Sequence, residues 1–126
     1  MNRHQRRKDQ KQQSKNLNFQ NILLSAIDLH SKKQFKEAEK IYKKLNTSDP
    51  NNYDVLRHLG ILYQDQNKYE EAYNFYLKAI DAKPNGYEAI SNLGTVHLVN
   101  KNSDLAMKCF EKALSINPKY IPAINN

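Results

Sequence analysis

The sequence has few of the residues that build irregular or covalently stapled folds: one cysteine, three glycines, four prolines and no tryptophan among 126 residues. A single cysteine excludes an internal disulfide and a thiolate metal cluster. So few glycines and prolines argue against sandwiches, barrels and phosphate-binding loops, which need many special backbone angles. No apolar run reaches the roughly 18 residues of a membrane-spanning helix. We therefore expect a helical, cytoplasmic protein without membrane contact.

Positive charge is concentrated at the amino terminus. Residues 1–15 hold six of the 20 Lys and Arg residues and one acid, Asp9, in a chain of net charge +7. Because this segment has no apolar side chain after Met1, we predict a disordered basic leader over residues 1–18. Clustered cations attract phosphates. However, the segment lacks an aromatic residue to stack on a base, and the rest of the chain offers no basic stripe, so we do not expect nucleic-acid binding.

A 34-residue period runs through the rest of the chain. Prolines and alanines recur at this spacing, and an aromatic residue follows each alanine by four positions. The repeated positions are Ala38, Tyr42 and Pro50 in the first unit, Leu56, Leu59, Gly60, Tyr63, Ala72, Tyr76, Ala79 and Pro84 in the second, and Ile90, Leu93, Gly94, His97, Ala106, Phe110, Ala113 and Pro118 in the third.

The repeated positions within a unit are three or four residues apart, which is the spacing of one helical face. Leu56, Leu59 and Tyr63 define one such face in the second unit. The small residues Gly60 and Ala72 let two helices approach closely, so each unit is predicted to form a helical hairpin. The units span residues 19–52, 53–86 and 87–120, and residues 121–126 begin a fourth. Capping pairs are predicted at Asn51 with Asp54, Asn67 with Glu70, and Asn85 with Glu88.

Over residues 19–120 this pattern resembles the tetratricopeptide repeat. The second unit carries every signature residue, whereas the third has His97 in a tyrosine position and the first lacks the Leu-Gly pair. The resemblance implies an all-α fold, an α-α superhelix (solenoid) of three hairpins plus the start of a fourth. It also implies a non-enzymatic scaffold for protein binding, with a concave groove lined by the first helix of each hairpin.

The groove is where we expect a protein or peptide partner. Its predicted lining is Asp54, Arg57, His58, Ile61, Gln64, Asp65, Glu88, Ser91, Asn92, Thr95 and Leu98. The Lys and Asn pairs with which related repeats clamp a chaperone tail are replaced by Leu23, Ile27, His58 and Glu88, so that ligand is not expected.

A second hypothesis makes the chain the amino-terminal, substrate-presenting arm of a larger enzyme. Asn92 and Asn126 match the asparagine ladder of repeat arrays attached to O-linked N-acetylglucosamine transferases, whereas Leu24 and His58 do not match it. The basic opening also resembles large bacterial repeat proteins that continue into a glycosyltransferase or, with less support, a sulfotransferase or methyltransferase. Reading the gene beyond the last residue would separate the two hypotheses.

No residue pattern in the chain indicates catalysis. Phosphate loops, nucleophile elbows and HExxH helices are all missing from the sequence. Cys109 is expected to pack in the core, and two neighbouring histidines, His30 and His58, lack a third metal ligand. We expect no catalytic residue, cofactor or metal. The last repeat helix, residues 103–116, should leave an apolar face bare, which predicts self-association or fraying at the carboxyl end.

Overall fold

The structure, a computed structural model, describes residues 2–120. These form six helices without a strand: α1 Arg3–Ser31, α2 Phe35–Ser48, α3 Tyr53–Asp65, α4 Tyr69–Ala82, α5 Tyr87–Val99 and α6 Ser103–Ile116. None of the six is both long and apolar enough to cross a bilayer. The predicted all-α solenoid of three hairpins is confirmed, while the predicted start of a fourth, residues 121–126, lies outside the described residues.

Consecutive helices pack against one another, α1 also contacts α3, and α3 also contacts α5. We call the surface formed by residues 19–31, α3 and α5 the first-helix wall. The apolar and small signature positions are buried, His97 is half-buried, and the three signature prolines are exposed in the turns between hairpins.

Two glycines set how closely the helices of a hairpin approach. A Cβ atom on Gly60 would lie 2.4 Å from the ring of Tyr76, and one on Gly94 would lie 2.7 Å from the ring of Phe110. Hydrogen is therefore the only substituent that fits while both rings keep their places. The first hairpin has Ala26 at this position, and it too is fully buried.

The helix ends differ from the capping pairs that the sequence predicted. Asn52, not Asn51, caps α3, because its Oδ1 accepts the Val55 N–H at 3.2 Å. Asn67 is not a cap: with φ of 62° it occupies the left-handed position of the turn before α4, which asparagine tolerates. The third predicted cap, Asn85, is displaced by Gly86, which directly precedes α5.

The predicted disorder of residues 1–18 is not what the structure shows, because α1 runs without a break from Arg3 to Ser31. Asn2 caps it by accepting the Gln5 N–H at 2.8 Å. The burial argument behind that prediction holds, since every residue from 2 to 18 is exposed except the half-buried Asp9. Gln, Lys and Arg are good helix formers, however, and extending a packed helix needs no new nucleus.

Helix α6 presents apolar side chains to solvent. Leu105 is 47% exposed and Met107 is 60% exposed. One repeat earlier, Tyr73 at the position of Met107 packs edge-on against His97 of the next hairpin, with ring centroids 5.8 Å apart. Among the described residues no further hairpin covers Met107, so self-association through α6 stays a prediction.

Candidate functional site

A pocket of about 510 Å³ opens where α1, α2 and α3 meet. Three of the residues predicted for the groove, His58, Ile61 and Asp65, belong to its lining. Its other lining residues come from α1, from α2 and from the turn between them: Ile27, His30, Ser31, Lys33 and Phe35. The pocket therefore combines three large apolar side chains with two imidazoles, a carboxylate, a hydroxyl and the ammonium group of Lys33.

His30 connects this pocket to the core. It is 8% exposed, and its Nε2 lies 2.7 Å from Oδ2 of Asp65 while its Nδ1 lies 3.1 Å from the hydroxyl of Tyr42. A carboxylate only accepts hydrogen bonds, so Nε2 carries a proton, and in the neutral ring Nδ1 is left to accept from the Tyr42 hydroxyl. Burial raises the pKa of Tyr42, which keeps this hydroxyl protonated as the donor. Sequence reasoning did not assign His30 this role.

His58 offers an acceptor to the pocket. Its Nδ1 lies 2.8 Å from the carbonyl oxygen of Asp54, which can only accept, so Nδ1 is the donor and Nε2 keeps its lone pair. Burial lowers the pKa of His58, which favours this neutral form. Asp65 adds a carboxylate that is 48% exposed. The hydrogen-bonding groups that these two residues present to a ligand are thus acceptors.

A polar pair links the two helices of the first hairpin, another links those of the second, and an apolar pair replaces them in the third. The Tyr76 hydroxyl donates to Oε1 of Gln64 at 2.7 Å, as the Tyr42 hydroxyl does to His30. In the third hairpin both partners are apolar, so no hydroxyl is buried without an acceptor. The pairs, always twelve residues apart, are His30 with Tyr42, Gln64 with Tyr76, and Leu98 with Phe110.

Tyr53 joins α3 to α5. Its hydroxyl donates to Oε1 of Glu88 at 3.1 Å and accepts the Ala89 N–H at 3.0 Å. Gly86 provides no capping side chain, and a Cβ there would lie 2.4 Å from the Tyr53 ring. The tyrosine therefore caps the helix of the following repeat. Burial raises the pKa of Tyr53, so the hydroxyl remains protonated.

Two polar atoms of the wall are buried without a hydrogen-bond partner among the described residues. They are Nε of Arg57 on α3, a donor, and Oδ1 of Asn92 on α5, an acceptor. The third such atom, Oδ1 of Asn46, lies on α2, away from the wall. A buried polar atom without a partner costs about 1–3 kcal/mol, so two on neighbouring helices call for an explanation.

The remaining groove predictions divide by exposure. Ser91 is 3% exposed and therefore largely withdrawn from solvent. Asp54, Asp65 and Leu98 are exposed, and the half-buried set is Arg57, His58, Ile61, Gln64, Glu88, Asn92 and Thr95. Three carboxylates and one guanidinium give this set a net charge of −2, although the whole chain carries +7.

The contacts that sequence reasoning missed share a spacing. His30 with Asp65 and Tyr53 with Glu88 are both 35 residues apart, one more than the repeat. Each joins a first helix to the next first helix. Scanning the sequence for complementary side chains at this offset would have found both pairs.

The described residues bring together no group of three or more His, Cys, Asp or Glu side chains that could hold a metal ion. Cys109 is half-buried, and burial raises the pKa of its thiol, which keeps it in the less reactive protonated form. The wall therefore offers hydrogen bonding and apolar contact.

Comparison with known proteins identifies the family. Two tetratricopeptide repeat models match, one over residues 29–94 and one over residues 87–120. No curated protein matches the sequence. The solved structure of the first TPR of Spaghetti (RPAP3) bound to HSP90 peptide SRMEEVD is similar, with a TM-score of 0.78, 20% identity and 85% of each chain covered. So is YrrB, a TPR protein with an unusual peptide-binding site: the TM-score is 0.75 and the identity 18%, over 85% of this chain and 55% of YrrB. This chain belongs to the tetratricopeptide repeat family.

Proposed function

We propose that this chain is a non-catalytic interaction module that binds an extended peptide segment along the first-helix wall. The observation that carries the proposal is the pair of unsatisfied polar atoms, Nε of Arg57 and Oδ1 of Asn92. An extended peptide presents a C=O group and an N–H group on each residue. Both atoms are closed to solvent, so the side chains of Arg57 and Asn92 must turn outward before a peptide across α3 and α5 supplies an acceptor to Arg57 and a donor to Asn92.

The pocket indicates which side chains the peptide carries. Ile27, Phe35 and Ile61 supply apolar contact, and about 510 Å³ accommodates at least one large side chain. Asp65 and His58 add acceptors, and the predicted groove residues have a net charge of −2. We therefore propose a segment with an aliphatic residue beside a lysine or arginine, because a cationic head pairs with Asp65 while apolar carbons cover the pocket floor.

The similar structures support a peptide as the class of ligand, since one is bound to the peptide SRMEEVD and the other is described by its peptide-binding site. The peptide proposed for this chain differs from SRMEEVD in charge. SRMEEVD carries three acidic residues and one arginine, and the net negative wall of this chain repels such a ligand. SRMEEVD is therefore a matched negative control.

The test begins with selection of peptides from a random display library on the full chain. Binding of the selected peptides is then measured by fluorescence anisotropy for the wild type, Ile61→Asp, Asn92→Leu and the control Leu77→Asp. Leu77 is 41% exposed on α4, outside the wall. Losing one hydrogen bond to a buried group costs about 1–3 kcal/mol, so Asn92→Leu should weaken binding about tenfold.

The selected peptides should combine aliphatic and basic residues, and SRMEEVD should bind more weakly than any of them. Leu77→Asp should bind like the wild type. Equal affinity in all four proteins would place the peptide away from the wall and overturn the proposal. Selection of acidic peptides would overturn the proposed side-chain chemistry alone.

A further inference from the structure

The amino-terminal turns of α1 place four cations in one row along the helix. Arg3, Arg7, Lys11 and Lys15 follow one another at intervals of four residues. On a helix such residues share a face, and successive members are about 6 Å apart along the axis. We call this face the basic stripe, and Lys8 flanks it.

The opposite face of the same turns carries no cation. It consists of Asn2, Gln5, Asp9, Gln12, Gln13 and Asn16. The four stripe residues are all exposed, as are their neighbours on the helix surface. The cations of this segment share one face of a helix only because α1 begins at Arg3.

The stripe lacks compensating charge within the described residues. Like charges four residues apart on a helix destabilise it by about 0.2–0.5 kcal/mol per pair. Arg3 and Arg6 also lie at the amino-terminal end of α1, where the helix dipole is positive, and the first turn holds no acidic residue. The only acid of the segment, Asp9, takes a hydrogen bond from Gln5 on the far side. A regular array of anions along this face relieves the repulsion.

We propose that the basic stripe binds the phosphate backbone of nucleic acid. Nucleic acid provides such an array, since duplex DNA carries one negative charge per about 1.7 Å of its axis. Ser14, Gln10 and Asn18 border the stripe and can donate hydrogen bonds to phosphate oxygens. The sequence argument against nucleic acid found no basic stripe in the rest of the chain, whereas the helix forms one within residues 3–15.

A membrane surface fits the same segment less well. Helices that lie in a bilayer interface bury an apolar face opposite their cations. The face opposite the basic stripe holds Asn, Gln and Asp side chains, which gain nothing from contact with acyl chains.

The binding mode follows from what the stripe contains. Residues 2–16 include no Phe, Tyr or Trp for base stacking, so the contact is to phosphates and carries no sequence information. With four to six cations engaged, log K for duplex DNA falls against log salt with a slope of about −3.6 to −5.4.

The experiment measures anisotropy of a labelled RNA strand and a labelled DNA duplex with the full chain, between about 50 and 200 mM salt. Two variants distinguish the effect of where the cations lie from the effect of the total charge of the chain. The first is Arg7→Gln with Lys11→Gln. The second adds Gln13→Arg and Asn16→Lys, which restores the net charge on the face opposite the stripe. Both should lose roughly tenfold or more in affinity for both nucleic acids.

Hydrogen exchange is the second readout: binding of the RNA should increase amide protection within residues 6–18 of the wild type. Full recovery of affinity in the charge-restored variant would show that charge alone suffices and would overturn the role of the stripe. Binding to vesicles rich in phosphatidylserine without binding to RNA or DNA would overturn the choice of partner. Absence of binding to all three would overturn the proposal as a whole.

Discussion

The repeat body, residues 19–120, and the leading turns of α1, residues 3–18, are both helical for different reasons. In the body each helix is fixed by its neighbours, as Gly60 against Tyr76 and Tyr53 against Gly86 illustrate. The leading turns bury almost nothing and are held by intrinsic propensity and by continuation of a packed helix. The tertiary contacts recur in each repeat, so the residues that make them recur every 34 positions in the sequence. Helix propensity requires no such period.

The predicted groove of the repeat body and the leading turns carry opposite charge. The predicted groove residues sum to −2, whereas residues 1–15 hold six cations and one acid. Ligands of opposite sign are therefore directed to different surfaces of one chain. If the two regions are independent, a change in one should leave the stability and the binding of the other unchanged.

The largest effect is expected from filling the space at Gly60. Gly60→Val places carbon atoms into the ring of Tyr76, which is fully buried and has little room to move. We expect a loss of about 3 kcal/mol in unfolding free energy, because overpacking a close contact costs about 1–3 kcal/mol or more. Urea unfolding followed by circular dichroism measures it.

Gln13→Val is the matched control in the leading turns, where the side chain is exposed. It should change the unfolding free energy by less than about 0.5 kcal/mol. A loss below about 1 kcal/mol in Gly60→Val would mean that the hairpin is not closely packed there.

The next effect concerns the coupling between repeats. Tyr53→Phe removes the hydroxyl that accepts the Ala89 N–H and donates to Glu88. We expect a loss of about 1–2 kcal/mol and faster amide exchange at the start of α5, because the lost contact acts as a helix cap. Tyr73→Phe is the control, since the described residues provide no hydrogen-bond partner for the Tyr73 hydroxyl. Equal losses in both variants would contradict the capping role.

The period accounts for how much of the fold the sequence could predict. Three hairpins and their buried positions follow from it, because the two helices of each repeat pack through the same positions. The cap of α3 was misassigned because Asn51 and Asn52 are adjacent, and the hydrophobic spacing does not indicate which of the two precedes the helix. The pairs His30 with Asp65 and Tyr53 with Glu88 were missed because polar partners across a repeat boundary vary while the apolar frame does not.

A smaller effect is expected from pH. Burial lowers the pKa of His58 in the folded chain below its unfolded value of about 6.5. The unfolded state then binds more protons, so unfolding free energy should fall as pH drops from about 7.5 through the unfolded pKa. The charges acting on the ring are those of Arg57 and Asp54, with His30 contributing as well. His58→Gln should flatten this part of the pH profile in urea titrations, and an unchanged slope would contradict the assignment.

The smallest effect is expected from removing residues 2–15, and it tests the contrast most directly. The deleted turns bury no side chain in the body, so the unfolding free energy of the remainder should change by less than about 0.5 kcal/mol. Helical circular dichroism per molecule should fall, and affinity for phosphate-bearing ligands should be lost. Peptide binding at the wall, including its dependence on Ile61 and Asn92, should persist. A large loss of stability would instead mean that the leading turns and the repeats unfold as one cooperative unit, and that the long α1 is an extension of the solenoid and not a separate binding surface.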